Sequence, residues 1–188
     1  TLRVAFYTEH ENASPTPETM ETCRRSAQAL ADAGARVEEG VPPRVEEAYT
    51  ITRQYWSRPE SASAEEWQPD GDFTLSSEEV EAHLHAWDRF RRALTRFMAG
   101  YDVILTPVAE RPAVPHGTDE GGIPYTLPYS LTGWPAVAVR AGNSPEGMPI
   151  GVQVVARPWR EDVALAAARV IETALGGWQP PRGPEAPR

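Results

Sequence analysis

An α/β fold with a mixed sheet flanked by helices is what this 188-residue chain predicts, and three observations carry that reading. Roughly the first forty residues run strand, helix, strand, which is the βαβ unit and makes the two strands parallel. The run Asp102–Pro107, DVILTP, has the unbroken apolar character of a central strand covered on both faces. Two further apolar runs, Ala136–Val139 and Ile150–Ala156, flank a turn cluster at Asn143–Gly147 that is too short for a parallel connection, so this pair is antiparallel.

The elements follow in order. Leu2–Thr8 reads as a buried strand with Val4, Phe6 and Tyr7. A helix spans Pro17–Ala33, with proline early and Gly34 just past its end, as helix termini favour. Ala35–Val41 is the second strand, stopped by Pro42 and Pro43. Between the first strand and the helix the residues are EHENASPTP, without the glycines of a phosphate-binding turn, so no dinucleotide site is expected. Arg44–Arg58 is moderately helical, and Arg58–Phe73, with Pro59, Pro69 and Gly71, reads as a loop.

A long helix then starts at Ser76, which forms a capping-box pattern with Glu79. Its apolar stripe is Val80, Leu84, Trp87, Leu94, Phe97 and Met98; Arg89, Arg92 and Arg96 fall off it as a solvated face, with Asp88 placed to pair with Arg92. His83 and His85 point about 200° apart on a helix, which excludes one shared metal. Gly100 ends the helix. The loop after Pro107 holds Pro112, Pro115, Gly117, Gly121, Gly122 and Pro124, and lies where open α/β sheets place ligands. His116, near Asp119 and Glu120, has an exposed structural role there, because no nucleophile elbow accompanies it. Leu131–Pro135 is a tight loop, and Glu161–Leu175 is a helix whose acidic start suits the helix dipole and whose all-round apolar surface predicts burial. Gly176–Arg188 carries four prolines and reads as a tail.

Composition narrows the function. The net charge of −9 opposes a general nucleic-acid binder, and no apolar run approaches a membrane span. All 18 basic residues are arginine, so a mechanism with a lysine base cannot be completed by these residues alone. The single cysteine, Cys23, excludes an internal disulfide and a cysteine-based zinc site; it lies on the apolar helix face with Met20, Ala27 and Leu30, as core. A cytoplasmic location is expected, with no cofactor or metal. The chain begins at Thr1 with a strand-like run following at once, and on that ground is expected to be a processed, excised or truncated product.

Tyr101–Pro107, Tyr125–Pro128, Leu131–Ala136, the apolar run to Val139, Gly147–Gln153 and the acidic helix start at Glu161 form one ordered set of motifs. With them, the stretch from Tyr125 to Glu161 resembles the carboxy-terminal part of the amidase signature family. The βαβ unit ending at Ala33–Pro43 is similar to the unit that follows that family's catalytic core. Gly133 allows a positive φ, Pro135 fixes the start of the next strand, Gly151 lets a neighbouring backbone approach, and Gln153 puts an amide in an apolar run where it needs a partner.

The resemblance implies hydrolysis of a carboxylic amide through an acyl-enzyme, using a serine nucleophile, a second serine in a cis peptide and a lysine base. None of that triad is present: there is no Gly-Ser-Ser-Gly segment and no lysine. Residues 1–175 thus resemble the carboxy-terminal portion of an amidase domain, with 176–188 as a Pro-rich tail. The expected partners are a small-molecule amide and the amino-terminal catalytic half of the same protein, with a homodimer possible and nucleic acid and membrane excluded. Substrate-binding candidates are Thr106, Pro107, Tyr125, Thr126, Tyr129 and Trp134, as orienting or shape-setting residues at strand ends and loops. Ser130 stands where the family often has asparagine, Arg140 where it often has proline, and Ile123 where amidotransferase-type members usually have aspartate. A general amidase is therefore the first reading. A glutamyl-tRNA amidotransferase A-type subunit, or a non-catalytic small-molecule-binding or interaction domain, are the alternatives.

Overall fold

The computed structural model describes residues 1–56, 76–118 and 123–180. Among these described residues, five strands and five helices are arranged as β1 (Arg3–Phe6), α1 (Pro17–Asp32), β2 (Arg36–Glu39), a 3-10 turn (Val45–Glu47), α2 (Ala48–Trp56), α3 (Ser77–Met98), β3 (Val103–Pro107), α4 (Leu127–Thr132), β4 (Ala136–Asn143), β5 (Pro149–Ala156) and α5 (Glu161–Ala174). The sheet order is β2-β1-β3-β5-β4. β1 is parallel to β2 and β3, with Val4 opposite Val37 and Val103. β5 runs antiparallel to both β3 and β4, with Ile104 opposite Val155 and Ala138 opposite Gln153. The sheet is mixed, as the short turn requires, and β3 sits at its centre with all five residues buried.

Strand alternation gives the sheet two apolar faces. Val4, Val103, Leu105, Val152, Val154 and Ala156 meet Cys23, Ala27 and Leu30 of α1 and Ala164, Ala167, Ala168 and Ile171 of α5. Ala5, Ile104 and Val155 meet Phe90, Leu94 and Met98 of α3, Ala48 and Ile51 of α2, and Tyr125, Tyr129 and Trp134. At about 1.5–3 kcal/mol per large apolar side chain buried, these two faces are the main source of stability. α1 lies so close to β4 that a Cβ on Gly142 would meet Thr22 Oγ1 at 2.7 Å.

Local chemistry matches several expectations. Pro17 opens α1, and Gly34 follows it at φ 93°. The capping box is complete: the Glu79 amide donates to Ser76 Oγ at 3.2 Å and the Ser76 amide to Glu79 Oε2 at 2.8 Å. Arg92 pairs with Asp88 at 2.7 Å on an exposed face. Arg3, the first residue of β1, clamps the start of β3 by donating its amide and guanidinium to Asp102, and Arg157 reaches the same carboxylate at 3.1 Å.

Other expectations need correcting. The α3 stripe is covered only in its carboxy-terminal half: Val80 and Leu84 are 40% and 56% exposed, whereas Phe90 is fully buried. Leu131–Pro135 is not a free loop, because its first residues belong to α4, which ends at Gly133 with φ 69°. α5 is one-sided: Leu165 is 58% exposed while alanines make the contact. At Gly151 the close neighbour is the Val108 side chain, 3.3 Å from a built Cβ, ahead of any backbone atom. The loop expected over Arg58–Phe73, the Asp119 and Glu120 neighbours of His116, and residues 181–188 of the tail lie outside the described residues.

Candidate functional site

β1 and β3 are parallel, so their carboxyl ends open on the same side of the sheet, where the loops after Phe6 and Pro107 meet the start of α4. That side is the usual ligand position in α/β sheets. A buried hydrogen-bond knot fixes it. Gln153, 4% exposed on β5, donates from Nε2 to Thr106 Oγ1 at 2.9 Å, the Pro107 carbonyl at 3.4 Å and the Tyr125 carbonyl at 2.6 Å. Thr106 Oγ1 in turn donates to the Pro107 carbonyl at 2.8 Å. The amide that the sequence left needing a partner thus ties the end of β3 to the segment leading into α4.

Three tyrosines continue from this knot. Tyr125 donates its hydroxyl to the Thr8 carbonyl, and the hydroxyls of Tyr7 and Tyr129 are 3.0 Å apart. Burial raises the pKa of all three; for Tyr125 the nearby Glu110 carboxylate raises it further. They are therefore neutral hydrogen-bonding groups at physiological pH. Trp87 Nε1 donates to the Leu131 carbonyl at 2.9 Å, fastening α4 to α3.

Beside this layer opens a cavity of about 470 Å³. Its lining includes His10, Glu46, Tyr49, Glu110, Ile123 and Leu127. The His10 ring stands edge-on to Tyr125, with centroids 5.6 Å apart. Its Nδ1 accepts the Asn12 amide at 3.4 Å, which assigns the proton to Nε2. Nε2 is enclosed within the protein, and the Pro124 carbonyl is the backbone group that acts on the ring. Burial lowers the His10 pKa from its ordinary range, against the opposing pull of the Pro124 carbonyl and the Glu46 and Glu110 carboxylates.

The six candidate residues lie outside the described lining of the cavity. Thr106, Pro107 and Tyr125 join through Gln153; Tyr125, Tyr129 and Trp134 belong to one apolar cluster, at 0%, 2% and 9% exposure. Thr126 precedes α4, its carbonyl accepting from the Tyr129 and Ser130 amides. His10, Glu46 and Glu110, which line the cavity, were not singled out in the sequence. Their only signal was position, since His10 and Glu110 follow the carboxyl ends of two parallel strands. His116 is exposed.

Comparison with known proteins agrees with this architecture. An A-type glutamyl-tRNA(Gln) amidotransferase subunit of Mesorhizobium japonicum is 33% identical over 126 residues, covering 58% of this chain and 24% of that protein. The protein of the same name from Xanthobacter autotrophicus is 32% identical over 157 residues, covering 76% and 31%. The chain thus spans about a quarter to a third of the length of these curated relatives. Among solved structures, a fatty acid amide hydrolase superposes with a TM-score of 0.75 at 17% identity, covering 93% of this chain and 40% of that one. The A-type glutamyl-tRNA(Gln) amidotransferase subunit of Thermotoga maritima gives 0.71 at 24%, covering 92% and 42%. The family model described as Amidase matches residues 57–165, more than half of the chain. With the mixed sheet and the motifs from Tyr101 to Glu161 in place, this chain belongs to the amidase family.

Proposed function

We propose that this chain is the closing portion of an amidase that hydrolyses a carboxylic amide to the acid and ammonia or an amine. The reaction passes through an acyl-enzyme, and the serine nucleophile, the cis-peptide serine and the lysine base come from residues outside these 188. The observation that carries the reading is family membership over residues 57–165 in a chain without a single lysine. A serine hydroxyl needs a base and the developing oxyanion needs fixed donors, so a chain without them contributes walls and support. In this reading residues 1–175 complete the sheet and one side of the pocket. Thr106, Pro107, Tyr125, Thr126, Tyr129 and Trp134 set the shape of that side through the Gln153 knot and the tyrosine pair.

The test is ammonia or amine release from a panel of aliphatic and aryl amides. The 188-residue chain alone is expected to be inactive. The same chain joined to the segment that supplies serine and lysine is expected to turn over, with Tyr129→Phe and Trp134→Ala shifting substrate preference. Turnover by the isolated chain, or unchanged kinetics in both variants across the panel, overturns this account.

A second reading has a specific observation in its favour, because curated relatives at 30–33% identity are amidotransferase subunits of the A type. In that role the protein would co-purify with partner subunits and support glutamine-dependent transamidation. Ammonia release without partners excludes it. Ile123, at the position where such members usually carry aspartate, is 60% exposed at the cavity and supplies no carboxylate.

A further inference from the structure

We propose that the His10 cavity takes ligands that join an apolar body to a protonated amine, and discriminates against ligands bearing a carboxylate. The walls supply the apolar part: Val45, Ala48, Ile123 and Leu127. The charged side chains among the described lining residues are the carboxylates of Glu46 and Glu110, each half-buried, with no arginine among those described residues. Arg44 and Arg89 are turned to Glu47, which leaves Glu46 outside those ion pairs. The Glu110 carboxylate accepts an uncharged donor, the Ser14 amide at 3.0 Å.

An ammonium entering this space gains two partly desolvated carboxylates, whereas a ligand carboxylate meets two like charges and no cation among the described lining residues. The volume of about 470 Å³ lies within the range of small-molecule sites. As a substrate preference this rests on the amidase reading and points to amides carrying an amino group on an apolar chain; as binding it stands without turnover.

The experiment titrates the 188-residue chain with 4-phenylbutylamine, 4-phenylbutanol and 4-phenylbutanoate, following the His10 imidazole resonances, assigned by their loss in His10→Gln. The expected order is amine, then alcohol, then carboxylate, with the carboxylate at least tenfold weaker than the amine. Glu46→Gln with Glu110→Gln weakens the amine roughly three- to tenfold, as two partly exposed ion pairs should, and leaves the alcohol unchanged. If that double variant does not fold, added salt serves in its place, weakening the amine but not the alcohol in the unaltered chain. A carboxylate that binds as well as the amine, an amine insensitive to both changes, or no perturbation of His10 by any probe overturns the proposal. Amine binding at His10 together with no amide hydrolysis by the joined enzyme would sink the amidase function and leave this inference standing.

Discussion

Replacing Gln153 with leucine tests whether the buried hydrogen-bond knot holds the end of β3 to α4. Leucine has similar bulk, so the cost comes from polar groups rather than from a void. The Tyr125 carbonyl, now bonded at 2.6 Å, loses its donor inside the protein, at about 1–3 kcal/mol for an unsatisfied buried acceptor. Thr106 Oγ1 loses a bond of 2.9 Å but keeps its own donation to the Pro107 carbonyl, which adds about 1 kcal/mol and spares that carbonyl. The 3.4 Å contact is too long to add much. Gln153→Leu is therefore expected to cost about 2–4 kcal/mol, a large share of the about 5–15 kcal/mol that holds a domain together. At about 2–4 °C per kcal/mol for a chain of this size, the melting temperature falls by roughly 5–15 °C. Urea unfolding followed by circular dichroism measures the first quantity, and amide hydrogen exchange across Leu127–Thr132 should accelerate in the same variant. A loss below about 1 kcal/mol, or unchanged exchange in α4, would refute the view that Gln153 anchors this side of the site.

Three further outcomes follow from the contacts described. Tyr7→Phe or Tyr129→Phe alone leaves a buried hydroxyl without its partner and should cost about 1–2 kcal/mol, while the double variant should cost no more than either single one; additive losses in a double-mutant cycle would contradict the pairing. Gly142→Ala drives a methyl against Thr22 Oγ1 at 2.7 Å and should destabilise by about 1–3 kcal/mol, with Thr22→Ala restoring part of it; no rescue in denaturant melts would show that the backbone conformation is at fault. The Arg3 guanidinium beside Asp102, with the Arg3 amide and Arg157, holds that carboxyl below its ordinary range. A depressed carboxylate stabilises the fold above its unfolded pKa of about 3.9, and that contribution fades as pH falls toward the folded value. Asp102→Asn should thus cost about 1 kcal/mol or less at pH 7, given how exposed Arg3 is, and the gap to the unaltered chain should close in acid; a gap that persists at pH 2 removes the ion pair as its cause.

The parts of the fold that could be read from the sequence are those where one local signal suffices. The DVILTP run announced a strand covered on both sides, Ser76 and Glu79 marked the start of α3, and the short turn before Pro149 required an antiparallel pair. α4 escaped because six residues are too few to show a helical period, and Pro128 and Gly133 at its ends look like loop chemistry. Periodicity marks the α3 stripe but does not tell which of its positions the fold covers, so the exposed Val80 and Leu84 fall on it and the buried Phe90 does not. In α5, alanines suit contact or solvent equally, and the apolar count did not reveal the exposed face at Leu165. The cavity was least legible, since His10, Glu46 and Glu110 come from three separate segments and meet only when β1 and β3 lie side by side.

The position of β3 bears on how the chain assembles. β4 and β5 are joined by a short turn, and β1 and β2 by the α1 crossover, so each pair can form before the two meet. The pairing of Val4 with Val103 closes a loop of nearly the whole amino-terminal half, and so is kinetically expensive. Neither unit has its inner edge satisfied until β3 slots between them, because β3 is bonded to β1 on one side and β5 on the other. Joining the two halves of the sheet thus depends on a single five-residue strand, and its amides should be among the last to exchange in the native protein.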